Sequence, residues 1–340
     1  MIDVANLPKA ELHMHIEGSL EPEMMIRLAR RNDVEIPFAT PEEVAAACEF
    51  ENLQTFLNLF YAGLTVMRTA RDFAEVTYAY LERAHADKVR RAELYLSPQA
   101  HLRRGVSVDT VMEGVRDAFA AGQKDFGISS AVIWGLQRQY SEDEALETLD
   151  ALKGHEEHVA AIGMGGPERG NPPAKFRNVY AEARARGLRT TIHAGEEGDA
   201  SYVRDALEML QVDRIDHGVR AEEDDALVAE LVRRQTTLTV CPLSNVRLRV
   251  FDRIEDHNIA RLLRRDVRVT VNSDDPSYFG GYVNENFHVC QHALALTDAE
   301  CLQMIRNSFT GAFLPQDQIA GYLAELENAV AAQHAGHAHG

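Results

Sequence analysis

Two histidines separated by one residue are the first sign of chemistry in this chain. His13-Met14-His15 closes a short apolar run. Side chains at i and i+2 of a strand leave the same face, so both imidazoles can approach one ion. Alone, such a pair is ordinarily a hydrogen-bonded core feature; it gains weight from four further places. His193-Ala194-Gly195-Glu196 supplies a third imidazole and, past a small turn, a carboxyl, while Glu197 beside it reads as an acid favoured at a helix start. Arg214-Ile215-Asp216-His217-Gly218 sets ionisable groups in a short buried run, where charge is costly unless paired. There His217 is a candidate base, and Asp216, on the other face, is a candidate to orient a neighbour. Cys241-Pro242-Leu243-Ser244-Asn245 offers a hydroxyl and an amide but no obvious catalyst. Asn272-Ser273-Asp274-Asp275-Pro276 carries two carboxylates that leave the chain in different directions, although every residue in it also suits a turn.

Together these places outweigh their separate structural explanations. Three histidines and one carboxylate make an N3O donor set with room for water. That set suits catalytic zinc, whereas structural zinc prefers a closed cysteine-rich shell. Glu196, His217 and Asp275 remain as an acid, a base and a substrate anchor, which is the division of labour of metal-assisted hydrolysis.

The elements that must position these groups alternate along the chain. Candidate strands are Glu11–His15, Ala92–Ser97, Ile128–Gly135, Val159–Met164, Leu188–His193, Arg214–His217, Thr237–Pro242 and Val267–Ser273. Amphipathic helical patterns lie between them, among them Pro22–Arg31, Val108–Gly122, Ser141–Leu152, Lys175–Gly187, Ser201–Leu210, Ala221–Arg234 and Ile254–Arg265. Such alternation predicts parallel βαβ units, and eight of them predict an α/β fold of the (β/α)8 TIM-barrel type. A doubly wound open sheet has the same periodicity. The chemical residues fall at the strand ends, where barrel active sites sit. Pro41–Leu81 is too long for an ordinary crossover and reads as a helical insertion after the first strand, capping the barrel mouth. Thr297–Gln333 reads as C-terminal helices. Residues 1–330 are expected to form a single domain, and the His/Ala/Gly-rich 331–340 a disordered tail.

The composition narrows the function classes. With 53 acids against 35 bases, the net charge of -18 disfavours nucleic acid and anionic membranes as partners. Cys48, Cys241, Cys290 and Cys301 stand far apart without a Cys-x-x-Cys pair, so they read as reduced, buried thiols of a cytoplasmic protein. No secretory signal or membrane-spanning run is visible.

In order along the chain, Pro8 to Gly18, His193 to Glu196, Ile215 to Gly218, Cys241 to Asn245 and Asn272 to Pro276 resemble the adenosine/adenine deaminase family of the amidohydrolase superfamily. The resemblance runs from about Leu7 to about Phe313. It implies one zinc ion per chain held by His13, His15, His193 and Asp274. It matches Glu196 to the acid that protonates purine N1, and His217 to the group that deprotonates or orients the attacking water. Asp275 is matched to the residue that hydrogen-bonds N7. An acid at N1 is physically apt, because attack at C6 builds negative charge there. Ser273 and Ser244 are candidates for supporting hydrogen bonds.

Glu17 stands where adenosine deaminases typically carry the aspartate that meets the ribose, and its longer side chain would intrude on the sugar space. The stretches Glu51 to Leu57, Ser97 to Gln99, Gly170 to Phe176 and Phe279 to Val283 are also similar to the adenine-deaminase branch. The implied activity is therefore hydrolytic deamination of a small-molecule purine, adenine to hypoxanthine and ammonia. Two departures keep adenosine, or a 2- or N6-substituted adenine, as alternatives. Leu96-Ser97-Pro98 lacks an acid usual in the family, and so does Gly163-Met164-Gly165-Gly166-Pro167-Glu168. In the second segment, Gly166 is expected to offer its backbone N–H to N3.

Overall fold

The structure is a computed structural model that describes residues 2–337. It opens with β1 (Lys9–His15), α1 (Pro22–Arg31), α2 (Pro41–Ala46), α3 (Leu53–Leu64) and α4 (Ala70–Ala86). The chain continues through β2 (Val89–Leu96), α5 (Pro98–Leu102), α6 (Val108–Phe126), β3 (Ser129–Gln137), α7 (Glu142–Asp150) and β4 (Val159–Gly165). Next come α8 (Arg177–Ala185), β5 (Arg189–Thr190), β6 (His193–Ala194), α9 (Ala200–Asp205) and β7 (Arg214–His217). They are followed by α10 (Asp225–Arg234), β8 (Thr237–Val240), α11 (Pro242–Arg247), α12 (Ile259–Arg264) and β9 (Arg268–Val271). Four helices finish the chain: α13 (Pro276–Phe279), α14 (Val283–Ala293), α15 (Asp298–Thr310) and α16 (Gln316–His337).

All strand pairs are parallel, in the orders β1-β2-β3-β4-β5 and β6-β7-β8-β9. A bridge between Met14 and Asp274 joins the last wall to the first: His15 N donates to Asp274 O at 2.8 Å, and Asp274 N to His13 O at 3.0 Å. The wall is the α/β barrel that the strand–helix alternation predicts. The expected fifth strand, Leu188–His193, is split into β5 and β6. Between them Thr191 N still bonds Ile162 O, and Asp216 N still bonds Ile192 O, so the chain keeps its place while the regular ladder lapses.

The insertion is smaller than expected. Its last part, α4, starts afresh at a Thr69/Asp72 capping box and buries Phe73, Val76, Tyr80 and Leu81. It packs on β2 and α6 as an ordinary crossover helix. Only α2 and α3 are extra, because α4 carries the apolar face that a barrel wall requires. The final helix runs to His337, so 331–337 is helical where a tail was expected; residues 338–340 lie outside the described residues.

The strand starts are sealed by charge. Arg214 donates to Glu93 Oε2 at 2.6 Å and to Leu12 O at 3.0 Å, while Glu93 Oε1 accepts from Phe313 N at 2.7 Å. Both side chains are essentially fully buried. Removing one partner of such a pair strands the other. Glu93→Ala is therefore expected to lower the unfolding free energy by about 3–5 kcal/mol in urea titrations. A loss under about 1 kcal/mol would mean that water relaxes the site.

Candidate active site

The strand ends bring the expected ligands together. His13 Nε2 lies 3.1 Å and His15 Nε2 3.3 Å from His193 Nε2. Asp274 Oδ1 lies 3.4 Å from His13 Nε2 and 3.3 Å from His15 Nε2. The outer nitrogens differ: His13 Nδ1 is 3.2 Å from Thr239 Oγ1, whereas His193 Nδ1 lies 3.5 Å from Asp216 Oδ2, too far for a hydrogen bond. The Nε2 atoms of His13, His15 and His193 converge, an arrangement that a cation among them would satisfy. This donor set fits zinc. Ligand atoms of His13, His193, His217 and Asp274 also lie within 4.8 Å of one another, so His217 competes with His15 for a place in the set.

Asp216 holds the cluster from below. It accepts from Thr239 Oγ1 at 2.7 Å, from Thr191 Oγ1 at 2.9 Å and from the Tyr95 hydroxyl. Tyr95 in turn stacks on the His15 ring at 4.7 Å. Ser244 Oγ donates to Asp274 Oδ2 at 2.6 Å, and Ser273 donates its N–H to Glu11 at 2.9 Å. Ser244 thus holds Asp274 directly, while Ser273 is anchored on Glu11 next to it; the φ of +62° at Asp274 is uncommon for a residue with a side chain. Gly18 makes room on the other side: a Cβ there would come within 2.1 Å of Asp275 Oδ1.

The electrostatics divide the acids. Burial pushes Glu196 well above the ordinary carboxyl range, and Asp274 and Glu168 push it further. Burial and the neighbouring Asp274 do the same to Asp275. Burial also opposes charge on Asp274, but His13 outweighs it and holds Asp274 well below its usual value. Burial brings His193 down to about 4, with His13 adding to the effect. The surroundings therefore favour charge on Asp274, among the imidazoles, and disfavour it on Glu196 and Asp275.

Glu196, Asp275, Asp274, His193, His217 and His15 face one cavity of about 550 Å³, counted to its open mouth. Leu53, Phe56, Leu57, Phe60 and Tyr61 of α3 roof it, which is why the insertion matters. Gly166, with φ of +92°, lines it as well. Glu17, expected to intrude on the sugar space, is not among the lining residues. It is buried behind Ser97, where its Oε1 accepts from Ser97 N at 2.8 Å and lies 2.8 Å from His101 Nε2, while Oε2 has no hydrogen-bond partner among the described residues.

Arg138 and Glu168 were not singled out from sequence. The fully buried Arg138 donates to His193 O at 2.8 Å, and its Nη1 lies 3.6 Å from Glu168 Oε1. Glu168 accepts from the backbone N–H groups of Glu196 and Gly198, and its own N–H donates to Glu197 at 3.2 Å. The pair clamps the turn that carries Glu196. The signal available was position: both lie just past the ends of barrel strands.

The comparisons with known proteins agree with this geometry. A family model described as adenosine deaminase matches residues 8–329. The chain is 50% identical over 324 residues to an adenine deaminase of Sphingopyxis alaskensis, covering 95% of both chains. It is 46% identical to one of Vibrio parahaemolyticus, covering 96% of this chain and 97% of that one. The crystal structure of adenine deaminase from Arthrobacter aurescens superposes with a TM-score of 0.93 at 47% identity, over 95% of this chain and 98% of that one. An amidohydrolase from Burkholderia ambifaria with bound Zn superposes with a TM-score of 0.89 at 27% identity, over 98% of this chain and 96% of that one. By a family match that spans nearly its whole length, on a barrel whose strand ends assemble the expected residues, this chain belongs to the adenosine deaminase family.

Proposed function

We propose that this chain hydrolyses the exocyclic C6–N bond of adenine, releasing ammonia and leaving hypoxanthine. The observation that carries the reading is the placement of two buried carboxyls, Glu196 and Asp275, on the same cavity as the His/Asp donor cluster. The relatives named adenine deaminase support the choice of substrate. His13, His15, His193 and Asp274 would hold one zinc ion per chain. When bound, that ion supplies Lewis-acid activation of water.

The chain's own groups do the rest. Glu196 gives its proton to N1 as negative charge builds there, and glutamate at this depth keeps that proton until it is needed. Asp275 donates a hydrogen bond to N7, which offers only a lone pair. His217 orients or deprotonates the attacking water. Gly166 N–H serves N3, and Ser97, whose backbone N–H is held by the buried Glu17, lines the cavity wall. The apolar face of α3 keeps bulk water from the cavity. Residues 1–330 act as one domain. The four free, buried cysteines fit a reducing, cytoplasmic setting. Among the described residues no helix is long and apolar enough to cross a membrane.

Ammonia release from zinc-loaded protein tests the reading. Adenine is expected to exceed adenosine in kcat/KM by at least about 100-fold, the scale on which a buried site rejects a misfit group. A preference for the nucleoside, or for a 2- or N6-substituted adenine, would overturn the substrate assignment while leaving the reaction class in place.

A further inference from the structure

Behind His217 a buried chain of side chains leads away from the cavity. The backbone N–H of Ile259 donates to His257 Nδ1 at 3.1 Å. His257 Nε2 lies 3.2 Å from Asn245 Oδ1, and Asn245 Nδ2 lies 3.2 Å from His217 Nδ1. Asn245 and His217 have no exposed surface, and His257 has almost none. The chain is held firmly: Asn245 O accepts from Val250 N at 2.8 Å, and the Phe251 ring packs 4.4 Å from the His257 ring.

The direction of every bond follows from the fixed end. An amide N–H only donates, so His257 Nδ1 presents a lone pair. A neutral imidazole has one proton, which must then sit on Nε2 and point at the Asn245 amide. The amide atom receiving it is oxygen, so the atom turned toward His217 is nitrogen, and it donates. The proton on His257 Nε2 thereby fixes the amide orientation. His217 Nδ1 is therefore an acceptor, and the single proton of His217 sits on Nε2. A protonated ring at either position would set two donors face to face. Burial brings His257 down to about 3, in keeping with a neutral ring there.

We infer that Asn245 and His257, anchored on the Ile259 amide, are positioning residues that lock His217 in the Nε2-protonated form and make it a hydrogen-bond donor to the cavity. The inference rests on the reading that His217 faces the reaction. Among the described residues its Nε2 has no hydrogen-bond partner; it lies 3.7 Å from Glu196 Oε2 and 3.8 Å from Asp274 Oδ2. Two consequences follow. A nitrogen that carries a proton has no lone pair for a metal, so His15 and not His217 completes the ligand set. Of the two roles open to His217, orienting water by donation is the one this form allows, and taking a proton while neutral is not.

The test uses metal-loaded protein labelled with 15N-histidine, read by long-range 1H–15N correlation. The His217 signals are identified by their loss in His217→Gln. In the native protein they should report a protonated Nε2 and a bare Nδ1. Asn245→Asp puts an acceptor against Nδ1. It should move the proton to Nδ1, keep the zinc content, and lower kcat by roughly 10- to 100-fold with KM little changed, the usual reach of an outer partner. His257→Gln can still donate to Asn245 and should keep the native form and near-native kcat, whereas His257→Leu should lose both. A native His217 protonated on Nδ1 would overturn the inference. So would an Asn245→Asp protein that keeps both the Nε2 proton and its kcat. Should Asn245→Asp fail to fold, the native spectrum and the His257 pair decide alone. Failure of adenine as a substrate, with the Nε2 proton in place, would sink the functional reading and leave this assignment standing.

Discussion

Glu196→Gln is expected to keep its metal and its fold and to lose roughly 10²- to 10⁴-fold in kcat on adenine, the range that a positioned general acid contributes. The glutamine matches the glutamate in size and can still hydrogen-bond N1 through its NH2 group. What it lacks is a proton to surrender. Glu196 is placed for that surrender by burial, which holds its proton, and by the Arg138–Glu168 clamp, which fixes the backbone that carries it. Because the substitution adds no charge and no volume, zinc content and melting temperature should match the native protein. Steady-state ammonia release and metal analysis on the same preparation check both halves. Activity within ten-fold of native would remove Glu196 from the role of acid.

The second large effect belongs to Asp274. Asp274→Ala should purify with little zinc and fall by more than about 10²-fold in turnover, a loss beyond that of an outer partner. Asp274 Oδ1 lies 3.4 Å from His13 Nε2 and 3.3 Å from His15 Nε2, and the charge that offsets the imidazoles goes with it. Alanine also suits a φ of +62° poorly, so part of any loss could come from the backbone. Asp274→Asn separates the two causes, because asparagine tolerates that conformation while removing the charge. Metal loss in both variants would assign it to the ligand; loss in the alanine variant alone would assign it to the backbone. A full zinc complement in both would remove Asp274 from the ligand set.

What the sequence by itself determined was whatever depends on short spacing. His13 and His15 share a face because strands repeat every two residues, and this is local. The alternation of apolar runs and amphipathic stretches disclosed the barrel, and the barrel rule then put the chemistry at the strand ends. The ordered motifs, from His13 to Asp275, carried the family resemblance for the same reason: each lies within one short segment. The insertion was legible as an excess of chain, but not its limit. A helix that caps a mouth and a helix that packs on a wall share one period, and only packing on β2 and α6 assigned α4 to the wall. The break in the fifth strand was equally hidden, since its bonds go to Ile162 and Asp216 and not along the chain.

Tertiary structure alone decided the supporting network. Arg138 reaches the carbonyl of His193 across 55 positions, and Tyr95 reaches Asp216 across 121. No periodicity encodes such pairs, because each is fixed by where two strand ends meet after the barrel closes. The proton on His217 is the extreme case. Its place is set by the backbone amide of Ile259, handed on through His257 and Asn245. A sequence can name a histidine, but which of its nitrogens carries the proton depends on what the fold sets against the other one.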